Sequence, residues 1–496
     1  MIDKKSKIIY LLMAFVAACI AWRYAHIISV QRHEFADLGM ALPRFSFAGM
    51  IKNVIAEDRC PALSHIITFC MLKVLPMKIT YMRVPSVMAA AVAVFFAGLL
   101  GHKVRGLRTG IVTAALMITF TCGCAYGVDM RLYSLLTMFG TVAAYVYTCR
   151  LLNLEGETIG RRLLQGVVYG LLVNTHYTGV IMVAAFFLVD VYLMIKKRDD
   201  WRSMIPYGVC FVLFLPWMIY GIIAPMLSDS SFLVSASEGV GKSKTVFKLM
   251  KEPWLSTKLK CIFAAGLLAA FLFYLKGIFG KTFDGGRKFL WNGILFICAF
   301  VFVFVAVYTM QPNGNLVVRF FIPIYAYIFL FMAAAFDKII CGLFKKETLR
   351  YIFVVLACLF LFAGILPRVN FLSRYDRFDF VSSAEYLLDQ EDIRDSDVIV
   401  YRPHLAMGCN SATLAWYQYC MGGGRSGIRL SYEADEKNLD GINKVYVVHS
   451  EHQAPLNFYD EYTKETLEKD FVLKDRIPLR VDPENNEIRV YVRKRS

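Results

Sequence analysis

Two carboxylates stand three residues apart at Glu34 and Asp37, and a third and fourth follow at Asp58 and Asp129. On a helix, positions i and i+3 share a face, so Glu34 and Asp37 can reach one cavity together. A carboxylate so placed can take a proton from an attacking hydroxyl. Around the acids lie groups suited to an anion. Arg131 and Arg319 bring guanidinium groups, whose planar fork can hold an anion through two parallel N–H bonds. Tyr133, His176 and Tyr177 add donors at the same level of the chain. The chemistry these types allow is proton abstraction at a carboxylate beside groups that can hold an anion.

What positions them is a membrane domain. The chain has 496 residues, of which 57% are hydrophobic and 19% charged, below the roughly 25% charged share of soluble domains. Its 39 Phe and 27 Tyr suit lipid-facing and interfacial positions. The net charge of +16 does not indicate nucleic acid, because the basic residues come in short clusters between apolar runs, as cytoplasmic anchors against anionic lipid do. Most of the 13 cysteines sit inside apolar runs, where Cys acts as a small hydrophobe. No Cys/His spacing typical of zinc is present, so a divalent ion, which the chemistry would admit, has no dedicated site in the sequence.

Lys4, Lys5 and Lys7 place the N-terminus in the cytoplasm, and the first apolar run, Ile8–Ile28, reads as a retained span. The loop that follows, with Glu34, Asp37 and Asp58, is then outside. Pro61–Leu75 is short for a crossing and reads as an interfacial or re-entrant helix on that outer face. With this choice Lys103, Arg105 and Arg108, then Arg161 and Arg162, then Lys196–Arg202, then Lys338, Lys345, Lys346 and Arg350 all fall inside. The result is about eleven spans. They are Ile8–Ile28, Val84–Gly101, Thr109–Tyr126, Leu132–Leu152, Leu163–Thr175, Val180–Ile195, Ile205–Ala224, Leu259–Phe279, Phe289–Met310, Phe320–Phe336 and Tyr351–Leu366. Glu34/Asp37, Asp58, Asp129 to Tyr133, His176/Tyr177 and Arg319 then share one membrane face. Ionisable groups at such depths are costly and tend to line functional cavities.

The composition changes after Pro367. Residues 1–367 form the membrane domain, with an outer loop at 33–76 and a Ser/Gly-rich outer loop at 225–257. Residues 368–496 read as a small extracytoplasmic α/β domain. Phe378–Gln390 is its helix candidate, Asp397–Tyr401 and Lys444–His449 are short buried strands, and Phe471–Ile477 with Glu487–Val492 flank the turn-rich DPENN as a hairpin. The stretch Ala236–Ser243 (ASEGVGKS) imitates a phosphate-binding loop, but Ala236 replaces its first Gly and no strand precedes it.

Taken in order, these segments resemble the GT-C class of membrane glycosyltransferases, in the branch of protein O-mannosyltransferases and lipid A aminoarabinose transferases. Glu34/Asp37 stand where that family carries an acid after span one. DRCPALSH (Asp58–His65) is similar to its DxHPPLYY segment, with Cys60 for His and Ala62 for Pro. MRVPS (Met82–Ser86) is similar to LRLPS, and YGVDMRLYS (Tyr126–Ser134) to its second acidic motif, with Asp129 for Glu. THYTG (Thr175–Gly179), LPW (Leu215–Trp217) and an arginine segment opening at Arg319 follow.

The resemblance covers roughly the first three quarters of the chain and lies in the order and spacing of the motifs. It implies a polytopic α-helical GT-C fold and an inverting transfer of sugar from a polyprenyl phosphate. The acceptor would be a hydroxyl on an envelope lipid, glycan or protein. Asp37 or Glu34 would be the base. Asp129 would orient the acceptor or a metal. Asp58, Arg83, Arg131, Tyr133, His176, Tyr177 and Arg319 would contact substrate. Two other classes share the many spans. A transporter or lipid flippase predicts repeated halves and matched broken helices, and neither pattern is in the sequence. A membrane scaffold would use the C-terminal domain as its binding module.

Overall fold

The computed structural model describes residues 2–27, 37–42, 45–57, 60–75, 79–123, 130–152, 158–196, 199–225, 322–375, 386, 397–401, 429–431, 439–450, 461–478, 484 and 486–494. The expected spans Leu259–Phe279 and Phe289–Met310, the loop 225–257 beyond its first residue, nearly all of the helix candidate Phe378–Gln390 and the stretch Ala236–Ser243 lie outside them. The chain divides into two compact units. The first comprises Met1–Arg23, Pro43–Cys70 and Arg83–Arg368, and the second Tyr24–Leu42, Met71–Met82 and Val369–Ser496.

The membrane helices are α1 (Lys4–Ile27), α4 (Val84–Arg105), α5 (Leu107–Gly123), α6 (Tyr133–Leu152), α7 (Ile159–Val173), α8 (Tyr177–Ile195), α9 (Ile205–Trp217), α10 (Tyr325–Leu343) and α11 (Glu347–Tyr375). Two shorter helices, α2 (Phe47–Glu57) and α3 (Leu63–Leu72), come between α1 and α4. Among the described residues seven helices are long and apolar enough to cross a membrane. The helices α5 and α7 have 17 and 15 residues, and α3, at 10 residues, is too short to span, as read for Pro61–Leu75.

Local chemistry sets the ends of these helices. Asp3 accepts both the Ser6 backbone N–H at 2.8 Å and the Ser6 hydroxyl at 2.7 Å ahead of α1, and those bonds hold its carboxyl below the ordinary range. Pro85 opens α4, and Gly106 closes it at φ 87°, a left-handed value that lets α5 begin one residue later. Pro206 opens α9. Pro216, inside it, has no N–H for the ladder, and the helix continues directly as a π turn over Met218–Ile223.

The helices α4, α6 and α10 are central, with 61% of their apolar windows buried, whereas α9 and α11, at 22%, are peripheral. Along α4 the buried face is built from small residues, among them Ala89, Ala90, Ala93 and Ala97, which let α5 and α6 approach closely. Large apolar side chains such as Phe15, Phe211 and Phe360 are exposed instead, as lipid-facing residues are.

The helix ends that carry the basic clusters are tied by ion pairs, of which those of Arg150 are buried on both sides. Arg150 pairs with Asp190 and, at 3.4 Å, with Asp199; Arg162 reaches Asp200 at 2.9 Å; Tyr147 and Tyr207 donate to Asp190. This network joins α6, α7, α8 and α9. A second one places Arg108 at 2.8 Å and Arg105 at 3.4 Å from Asp337, joining α4 and α5 to α10.

In the second unit, β1 (Asp397–Tyr401), β2 (Arg429–Ser431), β3 (Lys444–Ser450), β4 (Phe471–Pro478) and β5 (Asn486–Arg493) form one sheet in the order β2-β1-β3-β5-β4. The first three are parallel; β5 runs antiparallel to β3 and to β4. The strands expected at Asp397–Tyr401 and Lys444–His449 and the hairpin around DPENN are present, while β2, three residues long, was not expected. Val445, Val447, Phe471 and Tyr491 pack with Leu467 of α12 (Glu461–Asp470) to make its core.

Candidate functional site

The opposite end of the helix bundle gathers the polar groups. Arg83 is fully buried and forms the N-cap of α4. One turn on, Ser86 accepts a hydrogen bond from Ser134 at 2.9 Å, so the N-termini of α4 and α6 meet. Tyr133, beside Ser134, is buried, and Arg131 both donates to its hydroxyl at 3.3 Å and lies 5.1 Å from its ring centroid. The Tyr133 ring is in turn 6.3 Å from that of His176. His176 N-caps α8: its Nδ1 accepts the Thr178 N–H at 3.1 Å. That bond needs a lone pair on Nδ1, so the proton of the neutral imidazole sits on Nε2. Tyr177 follows, and its hydroxyl accepts the Trp217 indole N–H at 3.2 Å.

Asn174 locks the neighbouring corner. Its amide donates to Gly170 O at 2.8 Å and Leu213 O at 3.2 Å, tying α7 to α9, while its own carbonyl accepts the Leu63 N–H at 3.2 Å, tying α3 to both. Beside this corner a cavity of about 580 Å³ opens between α2, α3, α7 and α9. Its walls are apolar, including Ile51, Ile55, Leu63, Leu213 and Trp217; Lys52 is the one charged residue among those lining it.

Of the residues singled out from the sequence, Arg131, Tyr133, His176 and Tyr177 are thus brought together, and Arg83 joins them through Ser86 and Ser134. Asp37 is buried, at 9% exposure, in a helical turn over 37–40 and belongs to the second unit. Glu34, Asp58, Asp129 and Arg319 lie outside the described residues. Among the described residues no group of three or more His, Cys, Asp or Glu side chains could hold a metal ion. The charged side chains of the cluster and the cavity, among the described residues, are cations: Lys52, Arg83 and Arg131. An apolar cavity beside cations and phenols can receive a chain that ends in an anion.

Sequence reasoning did not single out Lys52, Ser86 or Trp217. Ser86 and Trp217 lay within quoted motifs, but nothing in their spacing marked a partner. Lys52 could have been noticed as the one charged residue in the run Phe47–Ala56.

Residues 58–220 match the family model described as dolichyl-phosphate-mannose-protein mannosyltransferase. No curated protein matches the chain in sequence. In structure the chain is similar to ArnT from Cupriavidus metallidurans, solved bound to undecaprenyl phosphate, over 97% of each chain at 12% identity and a TM-score of 0.51. It is also similar to the oligosaccharyltransferase AglB from Archaeoglobus fulgidus, in complex with an inhibitory peptide and a dolichol-phosphate, over 90% of this chain and 70% of that one, at 10% identity and a TM-score of 0.45. Arabinosyltransferase EmbB from Mycobacterium smegmatis is matched over 66% of this chain and 30% of that one, at 12% identity and a TM-score of 0.45. The likeness to ArnT shows the fold: a multi-pass membrane protein of GT-C architecture, as the motif order implied.

Proposed function

We propose that the chain is an integral membrane glycosyltransferase that moves a sugar from a polyprenyl phosphate to an acceptor hydroxyl of an envelope lipid, glycan or protein. One observation carries the reading. Within the stretch that matches the mannosyltransferase family, Arg131, Tyr133, His176 and Tyr177 cluster beside an apolar cavity of about 580 Å³. A phosphate that bears a long isoprenoid chain asks for that pairing of cation and apolar groove. The undecaprenyl phosphate bound to ArnT, whose fold this chain shares, supports the same substrate class.

The acceptor hydroxyl attacks the anomeric carbon as the bond from that carbon to the phosphate oxygen breaks. The hydroxyl proton passes to Asp37 or Glu34, and the configuration inverts. Asp37 is preferred for its spacing from Ser46 and Phe47. Arg83, Arg131 and Arg319 stabilise the leaving phosphate. Asp129 orients the acceptor or a metal, and Asp58, Tyr133, His176 and Tyr177 contact substrate. The membrane domain, residues 1–367, has about eleven spans with its N-terminus in the cytoplasm, and residues 368–496 stand outside.

Arg319→Ala is expected to weaken the binding of undecaprenyl phosphate roughly ten- to hundredfold, the loss of one charge-assisted contact. Lys at 319 should restore only part of it, because an ammonium lacks the planar fork. Unchanged affinity in the alanine variant would remove Arg319 from the site. For topology, cysteines introduced within Lys103–Arg108 should react only with reagent supplied from the cytoplasmic side, and cysteines near Asp129 or in residues 368–496 only from the outer side. Outside labelling at Lys103–Arg108 would overturn the re-entrant reading of Pro61–Leu75.

A further inference from the structure

Trp217 belongs to both halves of the site. Its ring lines the apolar cavity, and its indole N–H donates to the Tyr177 hydroxyl at 3.2 Å, next to His176 and the polar cluster. The backbone around it is shaped to hold that ring. Pro216 precedes it, and the π turn Met218–Ile223 begins directly after it. Gly221, in that turn, lies under the indole: a Cβ there would come 2.5 Å from ring atom Cε2, closer than real contacts allow. Single π turns recur at functional positions because they re-aim a side chain within a helix. Here the turn and Gly221 seat a large, buried ring where an ordinary helix with any other residue would exclude it.

We propose that Trp217 is a positioning and specificity residue, a wall for the isoprenoid chain of the donor and the clamp that sets the Tyr177 hydroxyl at the phosphate end. This rests on the donor reading above. The two roles use different parts of the side chain and are separable. The ring supplies contact area to the chain. The N–H supplies a hydrogen bond that removes rotational freedom from the Tyr177 hydroxyl.

The experiment measures binding of undecaprenyl phosphate and of farnesyl phosphate to the full chain in lipid nanodiscs. Each probe partitions into the same bilayer for every variant, so the ratio of the two affinities, compared across variants, reports on the cavity. Trp217→Phe keeps a ring and loses the N–H. It should leave the preference for the long chain intact and weaken both probes by about three- to tenfold, the loss of one hydrogen bond. Tyr177→Phe removes the positioned hydroxyl itself and should weaken both probes at least as much, and the double variant should be no worse than Tyr177→Phe alone, because with no hydroxyl at 177 the indole N–H has nothing left to position. Trp217→Ala should cut the long-chain preference by about tenfold or more as the wall is lost.

Additive losses in the double variant, or a full long-chain preference in Trp217→Ala, would overturn the proposal while leaving the donor reading in place. A wild-type chain that bound neither probe would overturn both. The Phe variants, which keep an aromatic ring at each position, keep the first arm decisive even if Trp217→Ala fails to fold.

Discussion

Asp37→Asn should lower turnover by roughly two to four orders of magnitude while donor binding and folding persist. A general base must both reach the acceptor hydroxyl and take its proton. Asparagine keeps the shape and the reach but cannot take the proton. The position suits an isosteric test, because Asp37 is buried in a helical turn, where a larger change would disturb packing. Glu34→Gln should cost less, as expected of a residue that orients rather than abstracts. Normal turnover in Asp37→Asn with a large loss in Glu34→Gln would exchange the two roles. Full activity in both variants would remove the loop after span one from the chemistry.

The second large effect concerns stability. The Asp190 side chain is fully buried and that of Arg150 is 1% exposed, so both charges are held away from water. Asp190 accepts from Arg150, from Tyr207 and, at 3.2 Å, from Tyr147. Asp190→Ala leaves the guanidinium with Asp199, at 3.4 Å, as its one carboxylate partner among the described residues, and breaking a buried pair in this way costs about 3–5 kcal/mol. The purified variant should therefore melt well below the wild type. Replacing both partners at once, as Arg150→Met with Asp190→Leu, should recover much of the loss, since no uncompensated charge remains. A single variant as stable as the wild type would mean that this network does not hold the four helices together. Because the network lies at the far ends of α6 and α8 from Tyr133 and His176, turnover per folded molecule should stay near normal.

These two residues also show where the sequence could be read and where it could not. The apolar runs and basic clusters were enough to place the described membrane helices, because length and charge are local properties. The strands around Tyr446 and Tyr491 were legible for the same reason: short β-branched runs beside turn residues. Asp190 within an apolar run was itself a readable signal, since a carboxylate there needs a partner. Its partner was not readable, because Arg150 is 40 residues away and Asp337 is 229 from Arg108. The π turn after Pro216 has no sequence signature beyond the proline, and its consequence, the bond from Trp217 to Tyr177, depends on two helices meeting. Likewise the order of motifs pointed to Arg131, Tyr133 and His176, but only their packing shows that they share one end with the cavity lined by Lys52.

The central claim is transfer of sugar from a polyprenyl phosphate, and its most direct test is mass analysis of a strain from which the chain is deleted. Lipid-linked sugars and envelope glycans would be measured together, with wild-type and Asp37→Asn chains returned on a plasmid. A sugar missing from one envelope component and the same sugar accumulating on polyprenyl phosphate, both reversed by the wild-type chain and not by Asp37→Asn, is the expected result. Unchanged glycans with no accumulation of lipid-linked sugar would contradict it.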